Sequence, residues 1–241
     1  MARLDQTAFP TVKTEGGLLP PDFLARVRDL HKDIEGLAPT DYHLTADERL
    51  NEEINDAWNH LTKAWTGFAD DIKKMEEDEN LPDAGPTRQN WLLPLFRRLD
   101  YGQLQTATAI RMDDEGEGGK EYPVSHAWQG LPIHLVGWNT PLDKATPGAR
   151  GAARVSPHGL MQELLNRSSD HLWGIVSNGK TLRLMRDNIS LTRQAYVEFD
   201  LAEMMNGHAY ADFQLLWLLC HQSRFEGEQP SRWWIERWKE D

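Results

Sequence analysis

The chain has 241 residues, 39% of them hydrophobic and 27% charged, with a formal net charge of −12 and one cysteine, Cys220. A chain of this length buries a sizeable core, as one large domain or two small ones. The composition excludes a disulfide framework and a cysteine-based zinc site. No apolar run approaches the ~20 residues that cross a bilayer.

The start, Met1-Ala2-Arg3-Leu4-Asp5, lacks the basic region and apolar stretch of a secretory signal. With its single thiol, the chain reads as a cytoplasmic protein without membrane contact. The acid is uneven. Residues 47–83 are rich in Asp and Glu, whereas 150–193 hold Arg150, Arg154, Arg167, Lys180, Arg183, Arg186 and Arg193. That second stretch fits a basic face and equally a scattered solvated surface.

Residues 1–19 show no periodicity and read as an arm or loop. Pro20-Pro21-Asp22 opens a short helix to about Gly36, since Pro and Asp suit a first turn with unpaired N–H groups. Thr45-Ala46-Asp47-Glu48 has the form of a capping box. After it, Leu50, Ile54, Ala57, Trp58, Leu61, Trp65, Phe68, Ile72 and Met75 recur at steps of three and four. They predict one long amphipathic helix with a packing stripe. An acidic loop (76–86) precedes a helix from Thr87 through Leu99, in which Pro94 predicts a kink.

From there the period falls to two. Leu104–Ile110 predicts a strand, Asp113–Lys120 a loop, and Tyr122–Trp128 and Leu131–Trp138 a hairpin around Gln129-Gly130. A long loop (139–155) follows, then a helix capped by Ser156-Pro157 that runs to about Arg167. Leu172–Ser177, the turn Asn178-Gly179 and Thr181–Arg186 predict a second hairpin. Tyr196–Asp200 is a last strand and Phe213–Phe225 an apolar helix. Ser231 caps a helix carrying Trp233, Trp234 and Trp238. Three indoles so close together imply either folding back or continuation into a further domain; we expect the second. The order predicts an α/β (α+β) fold with a mixed sheet flanked by helices. The expected segments are a helical portion (1–86), an α/β domain (87–228) and the start of a linker helix (229–241).

Catalytic motifs are missing: no phosphate loop, no dinucleotide turn and no nucleophile elbow. Cys220, in an apolar helical run, reads as structural. His126, His134 and His158 lie on the expected sheet and its following helix, but their spacing matches no metal-ligand pattern. The acidic run Asp113-Asp114-Glu115-Gly116-Glu117 lacks the rest of a calcium loop.

The stretches Leu172-Trp173-Gly174-Ile175-Val176-Ser177-Asn178-Gly179-Lys180, Leu182-Arg183-Leu184-Met185-Arg186-Asp187 and Tyr196-Val197-Glu198-Phe199-Asp200-Leu201 carry a resemblance. They are similar to the N-terminal region of large adenine-specific DNA methyltransferases. Such enzymes occur in type IIG restriction–modification and in DISARM- or BREX-like phage defence. Tyr122–His126, Pro132–Trp138, Ser156–Arg167 and Trp91–Tyr101 fit the same region, so the resemblance covers about 87–225.

The resemblance implies a PD-(D/E)xK nuclease-like fold, in which an Asp and a Glu-x-Lys on neighbouring strands would hold Mg²⁺. Here His134 stands where the Asp is expected and no Glu-x-Lys follows on a strand; Asp143-Lys144 lies in a loop. The expectation is therefore a degenerate nuclease-like domain that binds DNA or docks to methyltransferase or partner subunits of a defence complex. It needs no cofactor of its own, and S-adenosylmethionine would belong to the methyltransferase domain. His134, Asp143, His158 and Gln162, with Asn166 and Asn178, are candidates for a residual polar site. Arg154, Arg167, Lys180, Arg183, Arg186 and Arg193 are candidates for phosphate contact, and Trp233, Trp234 and Trp238 for docking. An active Mg²⁺-dependent endonuclease and a protein scaffold without DNA contact are the alternatives.

Overall fold

Alternating apolar residues in the second half of the chain build the sheet that organises the molecule. The computed structural model describes residues 9–78, 80–114, 117–145, 154–187 and 194–240. Strands β1 (Val12–Glu15), β2 (Gln105–Thr106), β5 (His126–Trp128), β6 (Leu131–Leu135), β7 (Trp173–Ser177), β8 (Thr181–Arg186) and β9 (Tyr196–Asp200) form a seven-stranded sheet in the order β1-β9-β8-β7-β6-β5-β2. Only β6 and β7 are parallel; the other pairs are antiparallel. A parallel pair needs a crossover, and helix α5 (Pro157–Arg167) lies in that connection. Strands β3 (Ile110–Asp114) and β4 (Glu117–Tyr122) pair separately.

One face of the sheet is covered by helices. Among the described residues the other α-helices are α1 (Pro21–Arg28), α2 (Leu50–Glu77), α3 (Ala84–Pro86), α4 (Leu93–Arg98), α6 (Leu201–Asn206), α7 (Tyr210–Cys220) and α8 (Trp234–Glu240). Ile54, Leu61, Phe68, Trp91, Phe96, Ile175, Leu184, Phe199, Trp217 and Trp238 share one apolar cluster on that side. This cluster draws on all three segments expected from the sequence. On the other face α5 and β4 pack through Tyr122, Leu160, Met161, Leu164, Val176 and Met185. Among the described residues no helix is long and apolar enough to cross a membrane.

The long helix, both predicted hairpins and the Ser156 cap stand; Ser156 Oγ accepts from the Gly159 N–H at 3.0 Å. Several local readings change. The Thr45–Glu48 box closes a turn ahead of α2, with Thr45 N and Oγ1 both donating to Glu48 Oε2, and the helix starts only at Leu50. The helix at Pro94 begins earlier and contains a π-helical stretch, Thr87–Leu92, between α3 and α4. That wide turn directly precedes Pro94, which has no N–H to return to the previous turn. The strand expected over 104–110 reduces to β2, and the expected loop 113–120 is mostly the β3–β4 hairpin. The arm at 1–19 contains β1, which forms one edge of the sheet. The turn at Asn178-Gly179 is as read. Gly179 has φ +86°, and a Cβ there would lie 2.7 Å from Thr87 Cγ2, so a side chain is excluded twice over.

Candidate polar site on the α5 face of the sheet

Register places the site. Lys13 lies opposite Glu198, Glu198 opposite Arg183, Arg183 opposite Val176, and Val176 opposite His134. Directly opposed residues project to the same face, so these five form one row across β1, β9, β8, β7 and β6. Val176 packs with α5, which fixes the face. With strands about 4.8 Å apart, His134 and Arg183 stand roughly 10 Å from each other.

Arg183 is the centre of the row. Its Nη1 and Nη2 donate to Asp143 Oδ1 and Oδ2 at 2.6 and 2.7 Å, and its Nε donates to Glu198 Oε2 at 2.7 Å. The guanidinium also lies 4.7 Å over the Tyr196 ring. One planar cation thus bridges two carboxylates from a loop and a strand, a geometry suited to Arg and not to Lys. Burial opposes the Arg183 charge, but the hydrogen bonds with Asp143 and Glu198 outweigh it and raise its pKa. The same hydrogen bonds hold Asp143 below the usual carboxylate value against its partial burial.

His158 is fixed by its neighbour. Arg183 Nη1 is 3.1 Å from His158 Nδ1 and can only donate, so Nδ1 accepts and the proton of the neutral ring sits on Nε2. That Nε2 is buried and meets no hydrogen-bond partner among the described residues, as do His134 Nδ1 and Gln162 Oε1. Burial, with Arg183 adding, pushes the His158 pKa down to about 4; burial, with Arg88 adding, does the same for His134. Both rings are neutral at pH 7. Gln162 Nε2 donates to Asn166 Oδ1 at 2.8 Å on the next turn.

Sequence reasoning did not single out Glu198. The alternation of β8 and β9 carries the signal, because Arg183 and Glu198 sit at matched outward positions of adjacent strands. Asn178 belongs to the turn: its Oδ1 accepts from the Lys180 and Thr181 N–H groups and its Nδ2 donates to Thr140 O. His126 does not join His134. It lies opposite Ile133, whose side chain belongs to the helix-covered face, and its Nδ1 meets Ser125 Oγ at 2.8 Å. Among the described residues no group of three His, Cys, Asp or Glu is arranged to hold a metal ion.

The cation set divides. Arg183 is 6% exposed and committed to its carboxylates. Arg186 projects to the helix-covered side, where its Nε and Nη2 donate to Glu236 at 2.8 and 2.6 Å and it also pairs with Asp187. Neither faces solvent as a phosphate contact would. Lys180 lies 4.8 Å from the Trp138 ring, and Arg167 pairs with Glu163 at 3.3 Å while staying 44% exposed. Arg154 is exposed. Arg193 lies outside the described residues.

The indole docking surface is corrected for Trp233 and Trp238. Trp233 and Trp238 are buried in the chain's own core. Their Nε1 groups donate to Gly227 O at 3.1 Å and Glu35 O at 2.8 Å, so folding back satisfies both the apolar rings and their single donors. Trp234 packs against Gly36 and lies 4.1 Å below Arg237. A scan of protein-family models finds no match to this chain, and neither the curated proteins nor the solved structures contain one that matches.

Proposed function

We propose that this chain is a nuclease-like domain without cleavage chemistry. In this reading it serves a DNA adenine methyltransferase of restriction–modification or phage defence by contacting DNA or by docking to partner subunits. One observation carries the reading. Asp143, from the loop before α5, and Glu198, on the polar row, are both paired with Arg183, so carboxylates of the kind a Mg²⁺ nuclease uses for its metal are here engaged by a guanidinium. His134, where the resemblance leads one to expect a carboxylate, is a neutral imidazole. S-adenosylmethionine chemistry would reside in the methyltransferase part.

A scaffold that never touches DNA is favoured by a separate observation: Arg183 and Arg186 are consumed by intrachain carboxylates, in a chain of net charge −12. Two measurements decide. Incubation with supercoiled plasmid and Mg²⁺ or Mn²⁺ is expected to leave it intact; cleavage lost on Asp143→Ala would overturn the non-catalytic reading. A mobility shift on duplex DNA at about 50 mM salt, weakened by Arg154→Ala with Arg167→Ala, is expected if DNA is the partner. No shift at that salt assigns the domain to protein docking alone.

A further inference from the structure

Away from the α5 face, a second polar cluster forms where three distant stretches meet. His43 follows the 3-10 turn Pro39–Tyr42, Asp100 follows α4, and His221, Gln222 and Glu226 follow α7. His43 and Asp100 both hold left-handed backbone, φ 63° and 68°, which few non-glycine residues adopt. His43 Nε2 lies 2.8 Å from Glu226 Oε2 and its Nδ1 3.3 Å from Asp100 Oδ2. The Gln222 amide nitrogen sits between them, 2.8 Å from His43 Nδ1 and 3.3 Å from Asp100 Oδ2.

This amide orientation specifies a protonation state. Gln222 Nε2 donates, so His43 Nδ1 must accept, and the ring is neutral with its proton directed at Glu226. The same orientation leaves Gln222 Oε1 buried without a partner among the described residues, in a side chain only 6% exposed. Turning the carboxamide over brings Oε1 to face Nδ1, which must then carry a proton. The turn gives up the Gln222 Nε2 contact with Asp100 Oδ2, and the protonated His43 Nδ1, 3.3 Å from the same oxygen, takes over as its donor. It also gives an imidazolium that donates toward carboxylates on both sides, and such charge-assisted bonds are the stronger kind.

We propose that His43, Gln222, Asp100 and Glu226 form a proton-driven latch. Protonation of His43 is coupled to turnover of the Gln222 carboxamide, and it tightens the junction between the N-terminal helical stretch, the end of α4 and the segment after α7. Burial lowers the His43 pKa, but the hydrogen bonds to Glu226 and Asp100 outweigh it and raise the value above 6.5.

The other groups facing His43 leave this logic intact. Glu53 of α2 and Arg97 and Arg98 of α4 line the same cleft of about 290 Å³, and Asp41 lies on His43's own turn, where it accepts from Ala38 N–H. The His221 ring is 6.0 Å away and is held neutral, its pKa pushed down to about 3 by burial and by Arg224. Arg224 Nε and Nη2 both donate to Ser223 Oγ. The Ser223 hydroxyl therefore donates to His221 Nδ1 at 2.8 Å, which places the His221 proton on Nε2, facing Asp100. His221 supplies an N–H there, and the titrating group is His43.

The sign follows from linkage. A histidine whose pKa is raised by folding contributes stability that is fully present below its unfolded value, about 6.5, and lost as pH rises through the folded value. His134, His158 and His221 act the other way, since burial lowers them, and their contribution is lost as pH falls below about 6.5. The latch is therefore read as a difference.

The experiment has two arms on the full chain. In an NMR titration, the Gln222 side-chain amide resonances are expected to move with the same midpoint as the His43 ring, and that midpoint is expected to lie above 6.5. Glu226→Gln, which keeps the shape of this half-buried residue, is expected to lower it. In denaturant unfolding, the stability gap between wild type and His43→Gln is expected to widen from pH 8 to pH 6. A His43 midpoint at or below that of a free histidine, Gln222 resonances that do not follow it, or a gap constant with pH would each overturn the latch.

Discussion

Glu198 and Phe199 are neighbours on β9, yet their side chains enter two different kinds of interior. Phe199 points into the helix-covered face, where it lies opposite Leu182 and Val12 in an apolar cluster running from Phe9 to Trp238. Glu198 points to the α5 face, where its partners are Arg183 and Lys13. The first face is held by area removed from water and needs only complementary shape. The second is held by a guanidinium that is safe in the interior only while both carboxylates remain. The contrast separates what keeps the protein folded from what a functional surface would retain at some cost to stability.

The largest effect is expected on the apolar side. Phe199→Ala removes a fully buried ring from the middle of the sheet, a change of about 3–5 kcal/mol by the usual transfer and cavity terms. Urea unfolding measures it, and a loss below about 1 kcal/mol would show that this face collapses around the gap.

Arg183→Met comes next and tests whether the polar row behaves as a unit. It leaves Glu198, whose side chain is 16% exposed, without its closest cation, at a cost of about 3 kcal/mol. Adding Glu198→Leu is expected to restore most of that, because a buried ion pair replaced by matched apolar residues is often neutral or stabilising. A double variant no better than the single would mean that Arg183 acts chiefly through Asp143 and the Tyr196 ring.

The two faces were unequally legible in the sequence. The α2 stripe, the Asn178-Gly179 turn and the alternation of β8 and β9 were readable because local periodicity and turn chemistry agree with the tertiary structure. Helix α6 had a readable start that was passed over: Asp200 caps it by accepting from the Glu203 N–H at 3.0 Å, with Glu three positions on. Strand β1 is short and pairs with β9 far along the chain, and the β3–β4 hairpin is short, polar and Gly-containing, so periodicity decides neither. Of the polar site, His134, Asp143, His158 and Gln162 were chosen from the sequence, but their relation to Arg183 was not. A seven-residue stretch with Arg183 and Arg186 three apart reads as one basic patch. Period-two geometry sends the two to opposite faces and gives each its own carboxylates. The tryptophans near residue 235 were misread for a similar reason, since no local signal shows that Glu35 and Gly227 stand ready to accept from their indole nitrogens.

The smallest effect uses the same carboxylate from its other side. Lys13 reaches Glu198 Oε1 at 3.9 Å, but its side chain is 74% exposed, while Arg183 contacts the other oxygen, Oε2, at 2.7 Å with 8% exposure. Formal charge and the Glu198 partner are shared, so the two substitutions differ in burial, in geometry and in the second carboxylate, Asp143, that Arg183 alone holds. Lys13→Ala is expected to change stability by less than about 0.5 kcal/mol, and raising the salt concentration should erase even that, because water and ions already screen the pair. An effect of Lys13→Ala approaching that of Arg183→Met would mean that the row is held by long-range charge and not by the bidentate fit of one guanidinium.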